Sequence, residues 1–297
     1  MQTRPKLVKG DSIALCATAR FVEQNVIDQA TSFLEEAGYA AVLATNLHIR
    51  HHQMSGSDKE RANALQDLFD DRNIKAIWCL RGGFGGLRIL DLLDFSALCN
   101  FPKLLIGFSD FTSVLNHACN LELHAIHGPM PIQLEKLSQE AKNSLLALFC
   151  GEEINYSWPS SEYNQIGEVK GKIVGGNLSV LYSLIGSRSF PKLDGNILFL
   201  EDLDEYIYHI DRMLLAFKRS GHLIGIKGLL VGSFSDLHDH DIPFGQNYQE
   251  IILEHFKEFN IPIAFNFPAG HQDDNRVLPF GFPAQLNVQQ TQNSSLH

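Results

Sequence analysis

The chain has 297 residues, 44% of them hydrophobic and 20% charged, which supplies enough apolar material for packed cores and excludes a disordered class. Its 24 basic and 34 acidic side chains leave a formal charge of -10, a balance that repels phosphate backbones and offers no basic stripe, so nucleic acid is excluded as a partner. The start, MQTRPKLVKGDSIALCATAR, holds only a short apolar run, below the core of an export signal and far below a membrane span, so neither export nor a membrane partner is expected.

The first half alternates strand-like and helix-like runs. Ser12–Ala17 reads as a strand, and Val26, Ile27, Ala30, Phe33, Leu34 and Ala37 then share one helical face that ends at Gly38. Tyr39–Ala44 is the next strand, and Ser57 with Glu60 forms a capping box that opens a helix through Ala64, Leu65 and Leu68. Ile74–Leu80 and Leu104–Gly107 are two more strands, the second followed by a helical pattern with Val114, Leu115 and Ala118 on one face. Strands separated by helices predict a parallel, doubly wound sheet, in which ligands bind beyond the carboxyl ends of the strands. The loops after Leu80 and Gly107 are therefore the first candidates for a site.

A helix is expected around Ser138–Phe149, after which periodicity is lost. The boundaries read as a first domain over 1–150, a linker over 151–168 and a second, smaller α/β domain over 169–297. In the second half, Ile197–Leu200, Gly228–Ser233 and Ile261–Asn266 read as strands, and Ile207, Ile210, Met213, Leu214 and Phe217 mark a helix. The tail QQTQNSSLH reads as frayed.

Chemistry concentrates at a few strand ends. Gly107-Phe108-Ser109-Asp110 lies where a strand passes into a helix, a context that exposes a serine nucleophile and offers the amide of Asp110 to an oxyanion. The same residues would also serve a plain helix cap. Arg81-Gly82-Gly83-Phe84-Gly85-Gly86 is a flexible turn that lacks dinucleotide spacing but is placed to give a second N–H donor. Glu201 and His271 follow apolar strands and supply the orienting acid and the base that a serine alcohol needs. Among 13 histidines and 34 acidic residues, residue physics alone does not single this pair out. The odd number of cysteines, with no CxxC pair, reads as reduced core, with a nucleophilic Cys79 the weaker alternative. His48, His51, His52 and the segment His238-Asp239-His240-Asp241 read as solvated loops, and no metal site is expected.

The ordered motifs RGGFGG, IGFSD, HGP (His127–Pro129), GGN (Gly175–Asn177), LED with YHIDRML, and FPAGH span nearly the whole chain. Together they resemble the LD-carboxypeptidase family of serine peptidases. That resemblance implies a Rossmann-like first domain and a Ser-Glu-His triad on Ser109, Glu201 and His271. It also implies oxyanion amides at Gly83 and Asp110, and substrate contacts at Arg81, Gly82 and Asn177. The implied reaction releases terminal D-alanine from an L-centre residue of murein peptides, without a cofactor, in a cytoplasmic homodimer that recycles cell wall. Cys16-Ala17-Thr18-Ala19-Arg20 departs from the small-residue turn ending in Ser-Gly that is usual after the first strand, and Phe84 stands where tyrosine is common. Microcin-immunity peptidases acting on a peptidyl or aminoacyl nucleotide are the alternative within the class. A non-catalytic binding protein of the same fold is the alternative outside it.

Overall fold

In the computed structural model, which describes residues 5–297, the strand-forming runs collect into two sheets. The first comes from β1 (Ser12–Cys16), β2 (Ala40–Leu43), β3 (Ile74–Cys79), β4 (Leu104–Gly107) and β5 (Ala125–His127), all parallel. Their order is β5-β4-β3-β1-β2, so β4 and β3 sit centrally and present adjacent carboxyl ends. Both faces are covered by helices, which is why β3 and β4 read as near-continuous apolar runs. The helix Gln24–Glu36 buries Val26, Ile27, Ala30 and Leu34, and closes with Gly38 N–H on Glu35 O and Tyr39 N–H on Leu34 O, the paired bonds of a Schellman end. The capping box of Ser57 and Glu60 opens the helix Asp58–Asp70.

The second sheet is mixed. Its strands are β6 (Tyr156–Trp158), β7 (Gly167–Asn177), β8 (Ile197–Leu203), β9 (Gly228–Ser235) and β10 (Ile263–Ala264), with β12 (Pro283–Val288) and β13 (Ser294–Leu296) after an intervening β11 (Leu278–Phe280). The order is β10-β9-β8-β7-β12-β13-β6, with β7 to β10 parallel and the β12, β13 and β6 edge antiparallel. The amphipathic helix Ile207–Arg219 packs Ile210, Met213, Leu214 and Phe217 inward.

Several elements differ from expectation. Part of the stretch read as a linker is ordered as β6, with Tyr156 Oη donating to Val277 O at 2.6 Å and Trp158 Nε1 to Phe265 O at 2.9 Å. The tail is not frayed. Gln285 and His297 exchange backbone hydrogen bonds of 2.8 and 3.0 Å, and Ser294 is fully buried. Only Ile263–Ala264 of the run 261–266 pairs as a strand. Finally, β11 returns to the first sheet and lies antiparallel to β5, so the chain crosses between the sheets more than once.

The helix Thr112–Asn120, which follows β4, is the main joint between the sheets. Asn116 is fully buried; its Nδ2 donates to Gly175 O at 2.7 Å, and its Oδ1 accepts from Gly175 N at 3.3 Å. Beside it, a Cβ on Gly176 would lie 2.8 Å from Thr112 Oγ1, and Gly176 has φ +127°. Gly176 of the GGN motif thus lets the end of β7 come against the helix behind β4, while Gly175 allows the close approach of Phe199 in β8.

Candidate active site

Ser109 sits where β4 ends and a 3-10 turn, Ser109–Phe111, leads into the helix Thr112–Asn120. Its φ of +57° is left-handed, a conformation that costs a non-glycine residue on the order of 1–3 kcal/mol and is typical of residues held for function. The side chain does not cap the helix, and the hydroxyl makes no hydrogen bond to another described residue. The glycine turn packs directly on it: a Cβ on Gly82 would stand 2.9 Å from Ser109 Oγ. Any larger residue there would displace the hydroxyl.

Asp110 turns away from the helix it precedes. Its Oδ1 accepts from Gly85 N at 3.1 Å and its Oδ2 from Gly86 N at 2.7 Å, locking the glycine turn to the residue after Ser109. Burial pushes the Asp110 carboxyl up to about 6, against the pull of the two amides and of Arg61. Arg61 is itself buried, donating through Nη1 to Gly85 O at 2.9 Å and to Thr18 O, and pairing with Asp58. The amide of Asp110 lies in a first helical turn, where no intrahelical acceptor exists. The amide of Gly83 is unpaired among the described residues. These are the donor types that an oxyanion requires.

Glu201 comes from β8, where the pairing with β9 slips between Leu200 and Asp202. This bulge sets Gly232 and Ser233 opposite Glu201, and both Glu201 and Asp202 are buried, like the rest of this strand up to Asp202. His271 Nδ1 lies 2.7 Å from Glu201 Oε2. Burial alone would raise the Glu201 carboxyl, but the charge of His271 and the bond from it hold it below the carboxylate range. For His271, burial works downward, and the charge and hydrogen bond of Glu201, then Asp202 and Asp236, hold it above its ordinary value. With Nδ1–H given to a carboxylate, Nε2 is the nitrogen left to accept a proton.

The His271 loop is fixed from both sides. Gly270 N donates to Asn275 Oδ1 at 2.9 Å, while Ser138 of the first half bonds Asp273 O at 2.9 Å and Asp274 Oδ1 at 2.8 Å. The ring of His271 lies against Phe108, centroids 4.6 Å apart, which brings it beside the residue preceding Ser109. The structure thus gathers Ser109, Gly82, Gly83 and Asp110 from the first sheet at the edge where the second presents Glu201 and His271.

Two buried groups escape residue-level reading. His127, on β5, is fully buried between Phe108 and Phe199, centroids 5.5 and 4.9 Å away, and neither ring nitrogen is within hydrogen-bond geometry of a partner among the described residues. Burial pushes it down to about 4, with Glu201 opposing and His271 assisting, so it is neutral at physiological pH. Its only signal was the HGP motif. Asp202, pushed up to about 7 by burial and then by Glu201, accepts from Asn177 Nδ2 and from the amides of Ser179 and Leu203.

The remaining sequence candidates take other places. Asn177 is buried, with Oδ1 capping the helix Leu178–Ser183 and Nδ2 on Asp202, so its side chain is engaged internally. Arg81 donates from Nη1 to Phe21 O at 3.1 Å. His238 bonds Asp204 at 2.5 Å on an exposed loop, and among the described residues no group of three His, Cys, Asp or Glu side chains is placed to hold a metal. Cys79 is buried with its sulfur on Arg81 O at 3.3 Å. No described helix is long and apolar enough to cross a membrane.

A hydroxyl on a strained strand-to-helix turn, unpaired amides beside it and a buried carboxylate–imidazole pair at the facing sheet define a two-domain α/β hydrolase. Comparison with known proteins agrees. Residues 13–128 match the LD-carboxypeptidase N-terminal domain and residues 170–286 the LD-carboxypeptidase C-terminal domain. The chain is 34% identical over 293 residues to the probable murein peptide carboxypeptidase of Bacillus subtilis, covering 96% of this chain and 92% of that protein. It superposes with a TM-score of 0.88 on muramoyltetrapeptide carboxypeptidase from Oxalobacter formigenes, 29% identical, covering 96% of this chain and 97% of that one. A microcin C7 self-immunity protein shares the fold at the same TM-score but only 21% identity, covering 100% of this chain and 98% of that one. This chain belongs to the LD-carboxypeptidase family.

Proposed function

We propose that the protein is a serine-type LD-carboxypeptidase that removes terminal D-alanine from an L-centre diamino residue of murein peptides. In this reading Ser109 Oγ attacks the scissile carbonyl and gives its proton to His271 Nε2, while Glu201 holds the imidazole and balances the charge it gains. The amides of Gly83 and Asp110 receive the oxyanion. Collapse of the tetrahedral intermediate breaks the C–N bond, His271 returns the proton to the amine of D-alanine, and an acyl-Ser109 remains. Water, deprotonated by the same imidazole, then releases the shortened peptide and restores the serine.

The observation that supports the reading is a strained Ser109 whose neighbour Phe108 lies against a His271 already bonded to the buried Glu201. The substrate class is supported by the names of the relatives, which act on murein and muramoyl peptides. Likeness to the microcin self-immunity protein rests on fold alone, so the peptide reading is preferred. The domain division near 151–168, assembly as a homodimer and a cytoplasmic location belong to the same proposal, the last two on family grounds.

The test is incubation with a murein tetrapeptide and, separately, an aminoacyl sulfamoyl nucleotide, with products read by mass spectrometry. Loss of alanine from the tetrapeptide is expected. Cleavage of the nucleotide conjugate alone would favour the other substrate class.

A further inference from the structure

A carboxypeptidase must read a free carboxylate one residue beyond the bond it cuts, and the loop after β1 holds a cation suited to that task. Arg20 is exposed, and its side chain lies along the glycine turn: a Cβ on Gly83 would stand 2.6 Å from Arg20 Cγ, 2.9 Å from Cδ and 3.2 Å from Nε. The preceding residue, Gly82, is the one packed against Ser109 Oγ. The Arg20 stem therefore lies against the residue that follows the one touching the nucleophile. In the substrate, the terminal carboxylate lies one step, on the order of 3–4 Å, beyond the scissile carbonyl carbon.

Arg20 also lacks an employer within the protein. Its guanidinium forms no hydrogen bond or ion pair with another described residue. Arg81 stands beside it, fastened through Nη1 to the carbonyl of Phe21, which ties the Arg20 segment to the glycine turn. Burial, and then the like charge of Arg20, hold the Arg81 guanidinium below its ordinary value, with Glu23 pulling the other way. On a chain of net charge -10, two arginines beside the glycine turn give a local attraction for an anion, and a guanidinium fork matches a carboxylate in two parallel bonds.

We propose that Arg20 binds the substrate's terminal α-carboxylate, with Arg81 as the positioning residue that braces its loop, so that the demand for a free C-terminus is encoded in the turn after β1. The inference rests on the peptidase reading above and adds where its exopeptidase character comes from. Arg20 is then a specificity determinant of this chain.

The test compares kcat/KM for a murein tetrapeptide with that for the same peptide ending in D-alaninamide, in the wild type, Arg20→Ala and Arg20→Lys. The wild type is expected to prefer the acid by about 50-fold or more, since a charged group left without its partner is costly. Arg20→Ala should lose about 30-fold or more on the acid, chiefly in KM, and less than about 3-fold on the amide, bringing the ratio close to one. Arg20→Lys should recover part of the preference, because the charge remains and the fork does not. A wild-type acid-to-amide ratio in Arg20→Ala would overturn the proposal while leaving the peptidase reading intact. Failure of the wild type to cleave either peptide would overturn both.

Discussion

Because the proposed catalytic groups are divided between two sheets, activity should depend on the joint between them more steeply than stability does. Asn116→Ala tests this. The substitution removes the bonds between Asn116 and Gly175 N and O across the joint, together with the 2.8 Å bond from Nδ2 to Thr112 O. A buried polar group left without a partner costs about 1–3 kcal/mol, so the two groups of Gly175 together imply a loss of about 2–6 kcal/mol. That leaves a protein of ordinary stability folded at 25 °C. The helix that carries Ser109 at its head would nevertheless be free to shift against β7 and β8, and a displacement on the order of 1 Å costs about 100-fold in rate. Leu34→Ala, in the first-sheet core and away from the joint, is the matched control: Leu34 is fully buried and its truncation costs a similar ~2–5 kcal/mol. With the folded fraction fixed by circular dichroism and turnover measured as alanine release, Asn116→Ala should lose at least about 10-fold in kcat and Leu34→Ala less than about 2-fold. Equal kcat in the two variants would refute the idea that the joint sets catalytic geometry.

Two further outcomes follow from the site's electrostatics. His271 must be neutral to act as base and is held above its ordinary value by Glu201, so the acid limb of kcat/KM should lie above about 6.5, the unperturbed histidine value. Glu201→Gln should move that limb to lower pH while lowering the plateau. For stability the sign is the raised one: the His271–Glu201 contribution is full below about 6.5 and is lost as pH rises through the folded pKa of His271, so Glu201→Gln should cost more stability at pH 6 than at pH 9 in urea titrations. A limb unmoved by the substitution would detach Glu201 from the base. Asp110→Asn is nearly isosteric but turns an amide NH2 toward Gly85 N or Gly86 N, two donors that the carboxylate now accepts from. It should loosen the glycine turn and lower kcat by about 10–100-fold, with KM little changed in initial-rate assays.

Much of the first sheet was legible because β1, β3 and β4 are buried on both faces and the helices around them are amphipathic, so their apolar runs carried the assignment; β2 is a half-exposed edge strand, legible as a short apolar run between a helix end and a capping box. Ser109 was visible for a related reason: a serine between an apolar run and a helical pattern marks a strand end. In the second half β8, β9 and the helix Ile207–Arg219 were legible, and the rest resisted reading. In β7 the outward residues are Glu168, Lys170 and Lys172 and its far end is Gly175-Gly176, so a half-solvated antiparallel stretch merges with a buried parallel one and neither period persists. The strand β6 has three residues and pairs with β13, more than a hundred residues distant in the chain, while the three-residue β13 lies between it and the nearby β12. The Glu201–His271 pair is likewise a product of topology, joining residues 70 positions apart. Family resemblance, not residue physics, picked it from the other acids and histidines. Arg20 and Arg81 show the converse. A departure from the usual turn looked like doubt about the substrate, and the structure gives it a place beside Gly83.

The account turns on Ser109 as nucleophile, and the most direct measurement is the rate of D-alanine release from a murein tetrapeptide by Ser109→Ala beside the wild type, each confirmed folded. Removing the nucleophile of a catalytic triad costs on the order of 10⁴-fold or more, while an exposed-side serine at a strand end adds little to packing. The expected result is wild-type release of one D-alanine per peptide and none detectable from Ser109→Ala with an unchanged unfolding midpoint. Release by Ser109→Ala at the wild-type rate would contradict the central claim.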